Sequence, residues 1–207
     1  MPGITLSASY GAGGSVVAPQ VAARLGWELV DRALSSRVAE QLSVPLDVAE
    51  QGGGQQSAWQ TFLLSLAPMA PHPLPVDLVL GDAVAAEVRE ASERLLRDAV
   101  GRGAVVLGRA GACALLGAPD VLRVRLYGDV RARVAQASRL EGIDAATAKA
   151  RQPVVDRARE AYVHRLYDRS ADDASLYHLQ LDSTSLPLEA CVDLVVQAFR
   201  SLTPARS

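Results

Sequence analysis

An α/β fold is predicted for this chain: a central, mostly parallel five-stranded sheet with helices on both faces. Three observations predict it. The chain opens with a short apolar run at residues 4–6, a glycine-rich turn over 7–15, and then a helical pattern. Apolar runs of strand length go on alternating with longer segments of helical period, the signature of strand-helix-strand units and parallel pairing. Of the 207 residues 49% are hydrophobic, enough to bury a full core within one domain of this length.

In the first helix Val16, Val17, Val21, Ala22 and Leu25 recur at helical spacing, and Gly26 stands where a left-handed C-cap belongs. Residues 29–31 read as a short buried strand and 32–42 as a helix. The polar patch GGGQQS at 52–57 is flexible in character, a short apolar helix is expected over 59–66, and prolines 68, 71, 73 and 75 exclude a helix between them. A long helical pattern covers 78–102. Gly103 ends it before the apolar strand 104–107, which places Gly108 and Arg109 at that strand's carboxyl end. Residues 121–127 alternate as a strand and 129–140 follow as a helix. A longer Arg-rich helix is expected over 144–168, interrupted or kinked near Pro153. A last strand (176–181) and a last helix (187–202) complete the series, with Pro187 at a permitted first-turn position. No internal repeat is present.

Composition removes several classes of function. A net charge of −2, from 21 basic and 23 acidic residues, gives no chain-wide attraction to nucleic acid or to an anionic membrane. No stretch approaches the roughly 18 apolar residues of a membrane span, and the N-terminus lacks a basic-then-apolar leader, so a cytoplasmic protein is expected. Cys113 and Cys191 sit in apolar helical contexts without metal-ligand spacing and read as small buried hydrophobes. His72, His164 and His178 show no ligand spacing, and no Ser, His, Asp order fits an acyl-transfer elbow.

Ligands of open parallel sheets bind outside the carboxyl ends of the strands. The polar residues to weigh are therefore those of 7–15, Asp31 with Arg32, Arg109, Asp129 with Arg131 and Arg133, and Asp182 with Ser183. Within the turn, Gly11, Ala12, Gly13, Gly14 and Ser15 let the backbone wrap an oxyanion closely, although a tight strand-to-helix turn has the same composition. Measured against the phosphate-loop pattern GxxxxGK[ST], Ala8 replaces the first Gly, Gly13 is kept, Gly14 replaces the Lys, and Ser15 occupies the hydroxyl position that binds Mg²⁺. A second group lies on the helix of 144–168. There Lys149, Gln152, Asp156 and Arg159 share a face beside the apolar stripe of Val155, Ala158, Tyr162 and Leu166. Asp156 and Arg159 thus border the core, either as a functional pair or as an ordinary surface ion pair. Arg131, Arg133 and Arg139, with Arg151 and Arg157, form a third group, suited to transferring phosphoryl groups or simply a solvated face.

The runs ITLSASYGAGGSVVAPQVAARLGWELVDRAL, AVVLGRAGACAL, APDVLRVRLYGDVRARV, VVDRAREAY and YHLQLDSTSLPLEACVDLV, in this order and spacing, resemble the cytidylate kinase-like family of P-loop kinases. The resemblance covers almost the whole chain. It implies a three-layer P-loop fold in one domain over 1–207, with an acceptor-binding helical excursion at about 35–80 and a lid at about 131–155. It further implies that Gly11, Ala12, Gly13, Gly14 and Ser15 hold ATP, with Ser15 on Mg²⁺. Gly108 and Arg109 match a GRD motif that grips the nucleoside monophosphate, with Ala110 in place of Asp. Asp156 and Arg159 match a DxxR motif that also contacts the monophosphate, and Asp129 opens the helix after the fourth strand. Arg131, Arg133 and Arg139 fall in the lid region. Ser36 and Arg37, near Asp31, fall where the monophosphate-binding segment starts.

What the resemblance implies is a Mg²⁺-dependent transfer of the γ-phosphoryl of ATP to a nucleoside monophosphate, CMP or dCMP first, with Arg131, Arg139 and Arg159 as candidate catalytic cations. The partner is then a small nucleotide, neither nucleic acid nor membrane; the oligomeric state is not encoded in any pattern read here. Two alternatives stand beside this reading: a catalytically silent nucleotide- or partner-binding domain, and a kinase of a non-nucleotide metabolite. A Lys restored at Gly14 is expected to raise the rate if the rest of the site is intact.

Overall fold

A computed structural model describes residues 2–30 and 82–202. The expected elements at 32–42 and 59–66, the acceptor excursion, and the candidate residues Asp31 and Arg37 lie outside the described residues. Among those described, β1 (Gly3–Ala8), β2 (Glu28–Val30), β3 (Ala104–Leu107), β4 (Val121–Tyr127) and β5 (Leu179–Asp182) form one sheet in the order β2-β3-β1-β4-β5. Every pairing is parallel, with Ile4 in register with both Val105 and Leu122. The first strand in sequence is thus the central one, and the glycine turn leaves the sheet at its middle.

Six helices accompany the described strands: α1 (Gly14–Leu25), α2 (Asp82–Gly101), α3 (Gly111–Ala114), α4 (Val130–Glu141), α5 (Ala145–Tyr167) and α6 (Leu188–Arg200). Alternation along each strand decides which residues meet which layer. Ile4, Leu6, Val105, Leu122, Val124 and Leu126 pack with Val17 and Val21 of α1 and Cys191, Val192 and Val195 of α6. On the other face Val106 and Val121 pack with Leu96 and Val100 of α2 and Tyr162 and Leu166 of α5. Each fully buried Val, Leu or Ile contributes on the order of 1.5–3 kcal/mol, and both faces of the sheet are covered. The last strand and helix also begin later than the sequence patterns suggest, because a 3₁₀ turn (Ala174–Leu176) occupies the start of the expected strand and Pro187 precedes the first helical turn as its N-cap.

Three local outcomes differ from the sequence patterns. Residues 121–126 of β4 are buried throughout, with no exposed alternate positions. Arg123 and Arg125 are accommodated there because their guanidiniums find acceptors: Arg123 donates to the Leu176 and Leu116 carbonyls, and Arg125 to the Ser7 and Ser9 hydroxyls and the Asp172 carboxylate. Helix α5 runs without interruption past Pro153. Caps at both ends, Asp144 and a left-handed Asp168, and the burial of its Tyr162 and Leu166 stripe outweigh the hydrogen bond that proline removes. Finally, Gly108, Arg109 and Ala110 have φ of 74°, 60° and 49°, three successive left-handed residues that wind the chain off β3 into the one-turn helix α3. Positive φ in non-glycine residues costs about 1–3 kcal/mol each, and no sequence pattern announces it at an Arg-Ala pair.

Candidate functional site

The glycine turn is held by its carbonyl groups. Ala8 O accepts from Arg159 Nη1 (2.6 Å), Ser9 O from the Ala12 N–H (3.0 Å), Tyr10 O from Arg133 Nη1 (2.7 Å), Gly11 O from Gln136 Nε2 (2.9 Å) and Ala12 O from the buried Ser183 hydroxyl (2.7 Å). Five consecutive carbonyls therefore meet protein donors, four of them from outside the turn. Among the described residues, the N–H groups of Gly11, Gly13, Gly14 and Ser15 have no protein acceptor. Gly13 is left-handed (φ 76°) and caps α1 directly, so successive N–H groups and the helix N-terminus form an anion-binding nest. Gly11 is required twice over. Its φ is 74°, and a Cβ there would lie 2.1 Å from the Arg133 carbonyl oxygen.

Asp156 is the node that fixes the turn to the helices above it. It accepts from the Tyr10 N–H (2.7 Å), Arg133 Nη1 (2.8 Å) and Gln152 Nε2 (2.7 Å). Arg133, almost fully buried, also donates from Nε to the Gly128 carbonyl. The predicted Asp156–Arg159 face is thus real but the two do not pair: the carboxylate turns to Arg133, and Arg159 reaches the Ala8 carbonyl. A small apolar cluster of Tyr10, Ala137 and Ala148, backed by Val134, Ile143 and Val155, clamps the turn to α4 and α5. The Tyr10 hydroxyl donates to Glu141, which Arg151 also reaches. Burial, reinforced by the Glu141 charge, pushes the Tyr10 phenol up to about 12.

Arg159 differs from its neighbours. Arg125 and Arg133 are enclosed, with side-chain exposures of 9% and 8%, whereas Arg159 remains exposed and uses one of its donors on protein among the described residues. Its guanidinium is nonetheless crowded by protein, which weakens its hold on the proton, while Asp156 opposes that and Arg125 and Arg133 add to it. The guanidinium stays protonated at any relevant pH.

The other candidates are placed as follows. Ser15 is exposed in the first turn of α1. Asp129 is the N-cap of α4, its carboxylate accepting from the Arg131 and Ala132 N–H groups. Arg131 and Arg139 are exposed; at about 100° per residue Arg131 falls on the side of α4 away from Arg133 and Gln136, while Arg139 lies one turn beyond Gln136. Among the described residues neither side chain has a hydrogen bond to the turn. Arg109 sits on the left-handed stretch after β3, near enough to Tyr162 to act on its phenol. At the end of β5, Asp182 accepts from the hydroxyl and N–H of both Thr184 and Ser185, and these bonds hold its carboxyl at about 2. Among the described residues no cluster of His, Cys, Asp and Glu could by itself hold a metal ion, and no helix is long and apolar enough to cross a membrane. Cys191 is buried as expected, but Cys113 is only partly so.

Sequence reasoning passed over Arg125 and Gln136; Ser183 was weighed only as a polar residue at the end of the last strand, and its hold on the Ala12 carbonyl is new. Two arginines inside an otherwise apolar strand, as in VLRVRLY, were a legible signal for buried donors; Gln136 carried none.

A parallel sheet in this order, with a nest of N–H groups at the end of its central strand and guanidiniums around it, defines an α/β protein of the P-loop kinase fold. The chain belongs to the cytidylate kinase-like family, whose sequence model it matches over residues 3–185. Solved structures agree on the fold. An uncharacterized protein from Eubacterium ventriosum ATCC 27560 superposes with TM-score 0.69 at 15% identity, covering 97% of this chain and 99% of the other. A gluconokinase from Sinorhizobium meliloti 1021 gives 0.51 at 15% identity, covering 97% and 93%, and a sugar kinase from Janibacter sp. HTCC2649 gives 0.50 at 13% identity, covering 99% and 97%. Among curated proteins, a uronate isomerase of Corynebacterium glutamicum is 30% identical over 130 residues, which is 62% of this chain and a quarter (25%) of that protein's length.

Proposed function

We propose that the protein is a Mg²⁺-dependent phosphotransferase that moves the γ-phosphoryl group of ATP to a nucleoside monophosphate, with CMP or dCMP as the first candidates. The observation that carries this is the turn whose carbonyls all face protein while the N–H groups of Gly11, Gly13, Gly14 and Ser15 await an acceptor. Such an array fits the phosphate chain of a nucleotide; any helix leaves its first-turn N–H groups open, but those of Gly11 and Gly13 lie before the first helical residue and extend the array. The Ser15 hydroxyl is the group that would hold Mg²⁺, together with phosphate oxygens and water; the ion supplies neutralisation of charge shared between the β and γ phosphates. Arg109, at the carboxyl end of β3, serves the acceptor phosphate, and Arg159 lies at the seam between the two phosphate groups. Catalysis of this kind needs positioning and charge neutralisation more than covalent chemistry.

Release of ADP from MgATP in the presence of CMP, dCMP, UMP and AMP tests the reading, with the strongest acceptor naming the base. Turnover on none of them, and on no metabolite hydroxyl, contradicts it. A second reading, a kinase of a non-nucleotide metabolite, draws on Ala110, which leaves the acceptor side without the carboxylate that the family's GRD motif would supply. Turnover confined to a metabolite hydroxyl selects that reading, since fold alone does not fix the acceptor.

A further inference from the structure

Gly14 is not left-handed, so its backbone would tolerate a side chain. Space forbids one: a Cβ at Gly14 would stand 2.7 Å from the Ala8 Cβ and 3.2 Å from Leu107 Cδ1. Real Cβ atoms do not approach so closely, and Ala8 Cβ is fixed to the backbone of the central strand, so it cannot swing aside. In GxxxxGK[ST] the first position is Gly and the seventh Lys; here Ala8 and Gly14 have exchanged which of the two bears a Cβ. The Lys has not simply been lost from an otherwise open loop. Its place has been filled, and the expectation that a Lys at Gly14 restores activity by itself does not survive the geometry.

At this same spot a different cation arrives. Arg159, from α5, sets Nη1 at 2.6 Å from the carbonyl of Ala8, the residue whose Cβ closes the lysine's place. It is exposed, with further donors uncommitted among the described residues, whereas Arg125 and Arg133 are enclosed and each makes three hydrogen bonds to protein acceptors.

Building on the phosphotransferase reading above, we infer that Arg159 supplies from α5 the cation the loop lacks, gripping the β and γ phosphates of the bound triphosphate, and that Ala8 and Gly14 are a matched pair closing the loop to lysine. Arg159 therefore serves the donor, not only the acceptor. A guanidinium suits the task because it offers several donors in a fixed plane, one spent on Ala8 O and the others left for phosphate.

The test is calorimetric titration of MgATP with no acceptor present, into wild-type protein, R159M, G14K/R159M and A8G/G14K/R159M, with thermal melts to establish folding. R159M is expected to bind MgATP roughly ten- to a hundredfold more weakly, as for loss of a charge-assisted hydrogen bond. The triple variant is expected to recover most of that affinity, and G14K/R159M to recover none of it and to melt lower. R159M that binds MgATP like wild type while its KM for acceptor rises overturns the inference and leaves the phosphotransferase reading standing. Recovery in G14K/R159M without A8G overturns the matched pair. Should the lysine variants fail to fold, the R159M titration decides alone. Wild-type protein that binds no MgATP overturns the phosphotransferase reading itself, and this inference with it.

Discussion

Asp156 carries more of the site than any other single carboxylate, since its oxygens hold Arg133, the Tyr10 N–H and Gln152 together. Removing one partner of a largely buried pair leaves the other charge without compensation. Asp156→Ala is expected to destabilise the fold by about 2–4 kcal/mol in urea denaturation; a loss below about 1 kcal/mol would show that Arg133 finds other acceptors. Asp182 is a separate case, held at about 2 against an ordinary 3.8 first by the Thr184 hydroxyl, then by Ser185. A carboxyl depressed in the folded state binds protons more readily once unfolded. Its contribution is therefore complete above about pH 4 and is lost as pH falls toward 2. Asp182→Asn is expected to flatten the stability profile across that window, and an unchanged profile would contradict the assignment. At this scale the sequence was only partly legible. Asp156 and Arg159 could be placed on one helical face from spacing alone. That Asp156 would choose Arg133, twenty-three residues earlier in sequence, depends on how α4 packs on α5, which no periodicity states.

Elements were more legible than residues. Strands and helices that bury a continuous stripe announce themselves by period, and β3, β4 and α4 fall within a residue of their expected bounds. What failed was local override: α5 passes Pro153 because its caps and its buried stripe outweigh one lost bond, and α3 follows three left-handed residues that only the packed structure imposes. Helix α4 also yields a test of role. Asp129 caps it by accepting from the Arg131 and Ala132 N–H groups, so Asp129→Ala should cost about 1 kcal/mol and Asp129→Ser much less. Steady-state kinetics with varied acceptor should show no separate rise in KM for the serine variant. Such a rise, in a protein of unchanged stability, would give Asp129 a role in the acceptor site.

For the molecule as a whole, sheet order places β1 in the middle, and everything that holds the glycine turn follows from that position: α5 supplies Arg159 and Asp156, α4 supplies Arg133 and Gln136, and the β5–α6 connection supplies Ser183. The turn is thus preorganised by three separate parts of the chain before any ligand arrives, and its unpaired N–H groups cost nothing further to align. Preorganisation of this kind should show as nucleotide binding that depends on the phosphate chain. The most direct measurement is calorimetric titration of the wild-type protein with MgATP, alone and with CMP, against adenosine as the control without phosphate. Saturable 1:1 binding of MgATP, with adenosine far weaker, is the expected result. MgATP that binds no better than adenosine at millimolar concentration would contradict the phosphate-binding turn and leave the fold without the function proposed for it.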